Sequence, residues 1–338
     1  MPAELQREVE ALVEQTRQRS GWSARETLSA LGVSRASYYR WLKDRKWQAV
    51  KADEPVRVVQ AYEATEEEQQ KVWAYALKHP RIRHRELAWR MVDEGVVCLS
   101  PSTVYRILRE KQLVCLWRRR KKRSRLELEK AQRPDERWGT DLMQIQIQGR
   151  PFYLLTFIDE YSRYLVHYEL LTNMEGVTVS LEAQRAIEGL LRERGGEISP
   201  WGMPEVRSDN GSCYISRDFR KVLDEHDLSH HLIKPHCPEE NGITERANRT
   251  FREVLEEVEL KDARHARQIV SRMVKWYNHE RLHRALGYLK PIDYYRGNPA
   301  ELHEARREKL AEARHQRRET NLALRQRMLR MSAAEAVT

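Results

Sequence analysis

Three apolar runs stand close together in the middle of this chain: Leu142 to Ile147, Pro151 to Ile158 and Arg163 to Leu170. Only Gln148-Gly149-Arg150 and Glu160-Tyr161-Ser162 separate them, and both breaks have turn composition. Runs of this length rich in Ile, Leu, Phe and Tyr read as strands, and such short connections join antiparallel neighbours. The pattern then changes to alternation. A helix is predicted over Val177 to Arg194 with Gly195-Gly196 as its stop, then a short strand over Pro204 to Arg207. A helix over Ser216 to His226, a strand over Ser229 to Ile233 and a long helix over Glu239 to Leu260 follow. An antiparallel meander followed by alternating helix and strand predicts an α/β domain, a mixed sheet covered by helices, over residues 136–297.

The front third reads as all helix. Leu5, Val9, Leu12 and Val13 recur at helical intervals over residues 3–19. Ser23 has the character of an N-cap for Ala24 to Leu31, Gly32 of a stop, and Ser34 of a cap for Arg35 to Leu42. Helix, Gly-containing turn, helix is the helix-turn-helix pattern, whose second helix can enter a major groove. Its exposed Arg35, Ser37 and Arg40 suit base edges and phosphates, over a core of Leu28, Leu31, Val33, Tyr38 and Trp41. A plain three-helix bundle is the alternative. A second module is predicted over 56–115, with helices over Glu66 to Leu77 and Arg81 to Glu94. A third helix begins at Ser100-Pro101, where Ser suits the N-cap and Pro the first turn. Ser102, Thr103 and Arg106 are its candidate DNA contacts.

Between these modules and the sheet, residues 118–125 read RRRKKRSR, seven basic residues in eight. A solvated charge run is the plain alternative. On a chain of formal charge +10 carrying two helical readers, Arg118, Arg119, Arg120, Lys121, Lys122 and Arg123 are read as a linker over 116–135 that tracks phosphates. No signal peptide or membrane span is read from the composition. The four cysteines are scattered, and His230, His231, His236 and Cys237 lack the paired spacing of a zinc site. Residues 1–55 form the first helix-turn-helix module and 298–338 a charged helical tail, solvent-facing or partner-binding.

Asp141 in Trp138-Gly139-Thr140-Asp141, Asp209 in Arg207-Ser208-Asp209-Asn210-Gly211 and Glu245 in Asn241-Gly242-Ile243-Thr244-Glu245 are three acids on three separate elements. Thirty-five residues lie between Asp209 and Glu245. Phosphoryl chemistry with Mg²⁺ needs hard oxygen ligands, and a pair of ions can clamp the attacking and leaving oxygens of a displacement. At about 100° per residue, Asn241, Glu245, Asn248, Arg249 and Arg252 share one helix face. Ile243, Ala247, Val254 and Val258 share the opposite, packing face. On this reading Asn248, Arg249 and Arg252 contact a DNA backbone. Asp159 reads as a turn acid bonding to Ser162 or Arg163. Taken singly, any of the three acids is equally an ordinary solvated or turn carboxylate.

Together these segments resemble the integrase core of DDE transposases and retroviral integrases, and the 35-residue gap matches that family's spacing. The segment from Tyr277-Asn278-His279-Glu280-Arg281-Leu282-His283 to Tyr288 resembles bacterial insertion-sequence transposases, as does His79-Pro80-Arg81-Ile82. Arg83-His84 stand where members often carry Gly-Tyr. The resemblance covers residues 79 to 297. It implies a ribonuclease-H-like fold, with Asp141, Asp209 and Glu245 as the catalytic and metal-holding triad and two Mg²⁺ or Mn²⁺ ions per site. It further implies cleavage at 3′ ends and strand transfer, with double-stranded DNA (element ends and target) as partner. A homo-oligomer on DNA, a cytoplasmic, nucleoid-associated bacterial location, and no small-molecule cofactor follow from it too. His236, in the loop before the Glu helix, would approach the scissile phosphate, with Asn210 and Asn241 as orienting groups. Two other readings stay open: a non-catalytic DNA-binding regulator that keeps the fold, and a ribonuclease-H-type nuclease that hydrolyses without joining.

Overall fold

The computed structural model describes residues 3–52, 59–114, 130–196, 202–234 and 238–335. Its backbone contacts divide into two units, one of Met1–Glu63 with Arg317–Thr338 and one of Ala64–Gln316. The basic run 118–125, His236 and Cys237 lie outside the described residues.

In the first unit, α1 (Ala3–Ser20), α2 (Ala24–Ala30) and α3 (Arg35–Ala52) enclose a small core of Val13, Leu28 and Tyr38. Ser23 opens α2 with a reciprocal capping box: the Glu26 N–H donates to the Ser23 hydroxyl at 3.4 Å, and the Ser23 N–H to the Glu26 carboxylate at 2.8 Å. Gly32, read as a stop, takes a left-handed φ of +66° after α2, and Ser34 caps α3 through the Ser37 N–H at 3.1 Å. Leu31 is not a core residue. It closes α2 from the solvent side and is 39% exposed.

The second unit begins with α4 (Glu66–Lys78), α5 (His84–Asp93) and α6 (Pro101–Glu110) around Val72, Leu87, Met91, Leu99 and Val104. Capping sets their starts: Thr65 and Glu68 form a capping box, and Ser100 accepts the Thr103 N–H at 3.2 Å with Pro101 in the first turn. The start predicted at Arg81 moves to His84.

The sheet follows as β1 (Arg137–Ile147), β2 (Arg150–Asp159), β3 (Leu165–Leu171), β4 (Glu205–Ser208) and β5 (His230–Leu232), in the order β3-β2-β1-β4-β5. Gln148 and Gly149 both have positive φ, as a two-residue hairpin between twisted strands requires. The first three strands are antiparallel; β4 runs parallel to β1 and β5 parallel to β4. This is the mixed, helix-flanked sheet of the ribonuclease-H-like class.

Strand alternation sorts the side chains into two cores. Trp138, Leu155 and Phe157 pack with α7 (Gly176–Glu193) and α8 (Arg217–Glu225). Met143, Ile147, Leu154 and Ile158 pack on the other face with α9 (Gly242–Leu255) and α10 (Ala263–His279). The helix predicted over Glu239 to Leu260 is shorter than expected: a 3₁₀ turn, Pro238–Asn241, precedes it, and it stops at Leu255, so Val258 is not on its face. Helix α10 was not anticipated. Its buried Ala266, Val270, Met273, Val274 and Tyr277 have helical spacing, and Asp262 caps it through the His265 N–H at 2.8 Å.

Short α11 (Pro291–Tyr295) leads to α12 (Pro299–Glu335). The tail is charged and helical, yet not wholly solvent-facing. Arg306 is buried, donating to both carboxylate oxygens of Asp93 at 2.8 and 2.6 Å and to the carbonyls of Gly287 and Tyr288. In the other unit, buried Asn321 donates to the carbonyls of Gln60, Ala61 and Glu63.

Candidate active site

Strand register brings the first two acids side by side. Strands β1 and β4 pair in parallel as far as Gly139 opposite Arg207. Two residues further along stand Asp141, still within β1, and Asp209, the first residue past the end of β4, so the pairing carries the two acids out at the same end of the two strands. Parity sends the Asp141 side chain to the same face as Met143 and Ile147, the face covered by α9. The third acid arrives on that helix. It rides close to β1 because position 139 has no side chain: a Cβ there would meet the Thr244 methyl at 3.1 Å and an Ile158 methyl at 3.6 Å. Thr244 is buried on this contact, and the next residue, Glu245, is exposed beside it.

The geometry around each acid holds it in place. Asp141 accepts the Leu142 N–H on Oδ1 at 2.9 Å and the Asn248 side-chain amide on Oδ2 at 2.7 Å. Asp209 accepts the Gly211 N–H on Oδ1 at 2.9 Å. A Cβ on Gly211 would lie 2.9 Å from that same oxygen and 3.4 Å from the Tyr214 ring, so the carboxylate occupies space only glycine leaves. Beneath them Tyr214 is buried with its hydroxyl 3.3 Å from that of Thr140. The Arg207 guanidinium reaches the Glu240 carbonyl at 3.5 Å, linking the end of β4 to the turn that starts α9, and makes a buried ion pair with Glu160 at 3.4 Å.

Electrostatics reports the same convergence. Burial raises Asp141 from the ordinary carboxylate range to about 6, and the charges of Asp209 and Glu245 push it the same way, against the Leu142 and Asn248 hydrogen bonds. Burial together with Asp209 and Asp141 also lifts the Cys213 thiol. The three acids thus form one electrostatic group. Their oxygens are not drawn into a closed cage: among the described residues, no three His, Cys, Asp or Glu side chains are gathered tightly enough to hold an ion. The donor set is nevertheless the right chemistry for a hard divalent cation, since it is all carboxylate oxygen and its mutual repulsion is what such a cation relieves.

The other candidate residues divide. Asn248 is a correction: it is buried and its amide is committed to Asp141, so it cannot reach a backbone phosphate. Arg249 and Arg252 are exposed, Arg249 in an i,i+4 pair with Glu253 at 3.0 Å. Arg35, Arg40, Ser102 and Arg106 are exposed, with Ser37 and Thr103 half-buried beneath them. Asn210 does not point at the acids; it donates to the Ile233 carbonyl at 2.8 Å and ties its loop to the end of β5. Asn241 accepts the Thr244 hydroxyl, stabilising the first turn of α9. Asp159 is fully buried and accepts Ser162 N–H at 2.7 Å, Ser162 O–H at 2.5 Å and Asp135 N–H at 2.9 Å, a turn clasp. His230 faces the Ser208 hydroxyl at 2.9 Å. Sequence reasoning overlooked Gly139 and Gly211 as the residues that make room for the acids. It also overlooked Asn248 as a holder of Asp141, although its place one helical turn after Glu245 was the available signal.

Comparison with known proteins bears on the same region. Two integrase core domain models match, one at residues 131–238 and one at 226–291. An insertion element IS407 protein of Burkholderia multivorans is 28% identical over 249 residues, covering 70% of this chain and 86% of that protein. InsK of insertion sequence element IS150 from Escherichia coli is 27% identical over 172 residues, 49% of this chain and 56% of that protein. Among solved structures, a chain of the simian T-cell lymphotropic virus intasome aligns at a TM-score of 0.42 and 14% identity, covering 67% of this chain and 74% of that one. The matched segments contain all three acids, so over residues 131–291 the chain is similar to the integrase core domain and to insertion-element proteins.

Proposed function

We propose that this chain is a DNA transposase that cleaves the 3′ ends of a mobile element and transfers them into target DNA. Asp141, Asp209 and Glu245 act as its catalytic and metal-holding residues. The observation that carries the reading is the juxtaposition of Asp141 and Asp209 by strand register, with Glu245 presented on the helix that crosses at Gly139. Similarity to integrase core domains supports the reaction class.

The three carboxylates would hold two Mg²⁺ or Mn²⁺ ions. When bound, such ions activate a water or a 3′ hydroxyl and stabilise the leaving oxygen. The chain's own groups prepare the place. The Leu142 N–H and the Asn248 amide fix the rotation of the Asp141 carboxylate, and the Gly211 N–H fixes that of Asp209. Raising Asp141 to about 6 leaves it mostly ionised near neutrality while making its charge costly, which favours a cation in its place.

DNA would be held by the exposed Arg35, Arg40, Ser102, Arg106, Arg249 and Arg252, and by the basic run at 118–123. Homo-oligomers would assemble on the element ends. No helix of the described residues is long and apolar enough to cross a membrane. Duplexes carrying the DNA that flanks the gene test the proposal. Wild type should nick and join them only with Mg²⁺ or Mn²⁺, and Asp209→Asn should bind them equally well yet join nothing. Undiminished joining by Asp209→Asn refutes the triad; metal-dependent hydrolysis without joined products makes the chain a nuclease.

A further inference from the structure

The last turn of α10 and the segment that follows it, Tyr277 to His283, pack around a charge cluster that the acid triad does not use. The Tyr277 and His283 rings meet edge to face with centroids 5.0 Å apart. Arg281 donates from Nε to His283 Nε2 at 3.3 Å, and its guanidinium lies 5.4 Å from the Trp276 ring centre. Arg163, from the turn after β2, and Arg246, on α9 directly after Glu245, act on both Tyr277 and His283 together with Arg281. One guanidinium therefore touches the imidazole, and the charges of two more, from two other elements, act on it.

Among the described residues none of the three has a carboxylate in salt-bridge contact. Arg163 donates to the backbone carbonyl of Glu160. Glu86 and Glu253 face Arg281 from α5 and α9, but Glu86 is paired with Arg90 and Glu253 with Arg249. Burial pulls Arg163 and Arg281 below the ordinary guanidinium range, and burial with the three arginines holds His283 down at about 3. His283 is thus neutral, with Nε2 accepting from Arg281 and a proton left on Nδ1. Half-buried cations without anionic partners are costly, and this set is open on the side of Arg246, which is exposed.

We infer that Arg163, Arg246, Arg281 and His283 form a phosphate-binding subsite that grips a backbone phosphodiester of the DNA strand entering beside Glu245. Guanidiniums suit this ligand because their planar donors match phosphate oxygens in pairs. The inference rests on the reading that the chain handles DNA, and its test is separable from catalysis.

Fluorescence anisotropy of the full chain with a short duplex, titrated over a range of salt concentrations, reads the number of phosphates neutralised. Each lost contact should lower the slope of log K against log salt by about 0.9. Arg246→Gln and Arg281→Gln should each show that loss. Arg281→Lys, which keeps the charge, should retain more of the slope. Arg185→Gln, on α7 and already paired with Glu182, should leave it unchanged. Circular dichroism checks folding, and Arg246→Gln decides the matter if Arg281→Gln unfolds, because Arg246 is on the surface. A wild-type slope for Arg246→Gln overturns the subsite. Inorganic phosphate competing at low concentration while that slope stays unchanged would assign the cluster to free phosphate and overturn the DNA contact. A wild type that binds the duplex but never joins it overturns only the catalytic reading, and one that binds no duplex overturns both.

Discussion

Asn248→Leu removes the one side-chain donor to Asp141 while keeping the number and branching of the side-chain heavy atoms. The site tolerates the exchange better than most buried polar positions, because the Asn248 carbonyl oxygen has no partner to lose. What is lost is the 2.7 Å bond to Asp141 Oδ2, a hydrogen bond to a charged group, worth about 1.5–3 kcal/mol. One pKa unit corresponds to about 1.4 kcal/mol, so Asp141, already lifted to about 6, should rise by roughly 1–2 units more. At neutral pH it then changes from mostly ionised to at least half protonated.

A proton competes with a divalent cation for this carboxylate. Apparent Mn²⁺ affinity therefore climbs with pH and levels off above the Asp141 pKa. Calorimetric titration at a series of pH values should find the plateau starting just above pH 6 in wild type and about 1–2 units higher in Asn248→Leu, with near-equal affinity at alkaline pH. A plateau that does not move would refute the claim that Asn248 holds the Asp141 charge. A plateau that moves down would mean that burial had been relieved instead. The same group leaves a mark on stability. Its folded-state pKa lies above the unfolded value of 3.8, so the folded protein keeps a proton that the unfolded chain has released. Stability from this residue accordingly falls as pH rises from about 4 to 6 and stays lowered above that by roughly 3 kcal/mol. Metal should restore part of it.

Gly211→Ala puts a methyl where the Asp209 carboxylate lies, so metal-dependent nicking should fall at least tenfold while the melting temperature barely changes; full activity would show that Asp209 can sit elsewhere. Gly139→Val overpacks the contact with Thr244 and should cost about 1–3 kcal/mol in urea unfolding, with loss of activity because α9 carries Glu245. Phe251→Ala, at a fully buried ring between α9 and the sheet, should cost about 3–5 kcal/mol in the same assay. Arg306→Ala leaves Asp93 unpaired and two carbonyls without a donor; since Asp93 is 37% exposed, about 2 kcal/mol is expected, and a neutral result would mean that water replaces the arginine.

Much of the local structure was legible without coordinates. Caps at Ser23, Ser34 and Ser100 and the stop or turn glycines Gly32, Gly149, Gly195 and Gly196 act over a few residues, so neighbours in sequence suffice to read them. The β1–β3 meander was equally plain, because two-sided burial and short turns leave strands few other arrangements. Helix α10 was legible too, by the spacing of Ala266, Val270, Met273 and Tyr277, but the dense charge between those residues masked it.

Tertiary structure decided what a linear pattern cannot contain. A helical period groups residues on faces without saying which face is inside. Asn248 shares a face with Glu245 in either case, and only the position of β1 turned it inward onto Asp141. Parallel pairing of β1 with β4 joins segments about 70 residues apart, so the meeting of Asp141 and Asp209 depends on a register that neither segment encodes alone. The chain by itself determined three acids, their spacing and the kind of elements that bear them. Packing at Gly139 and Gly211, where a missing side chain admits a helix and a carboxylate, set how closely their elements approach one another.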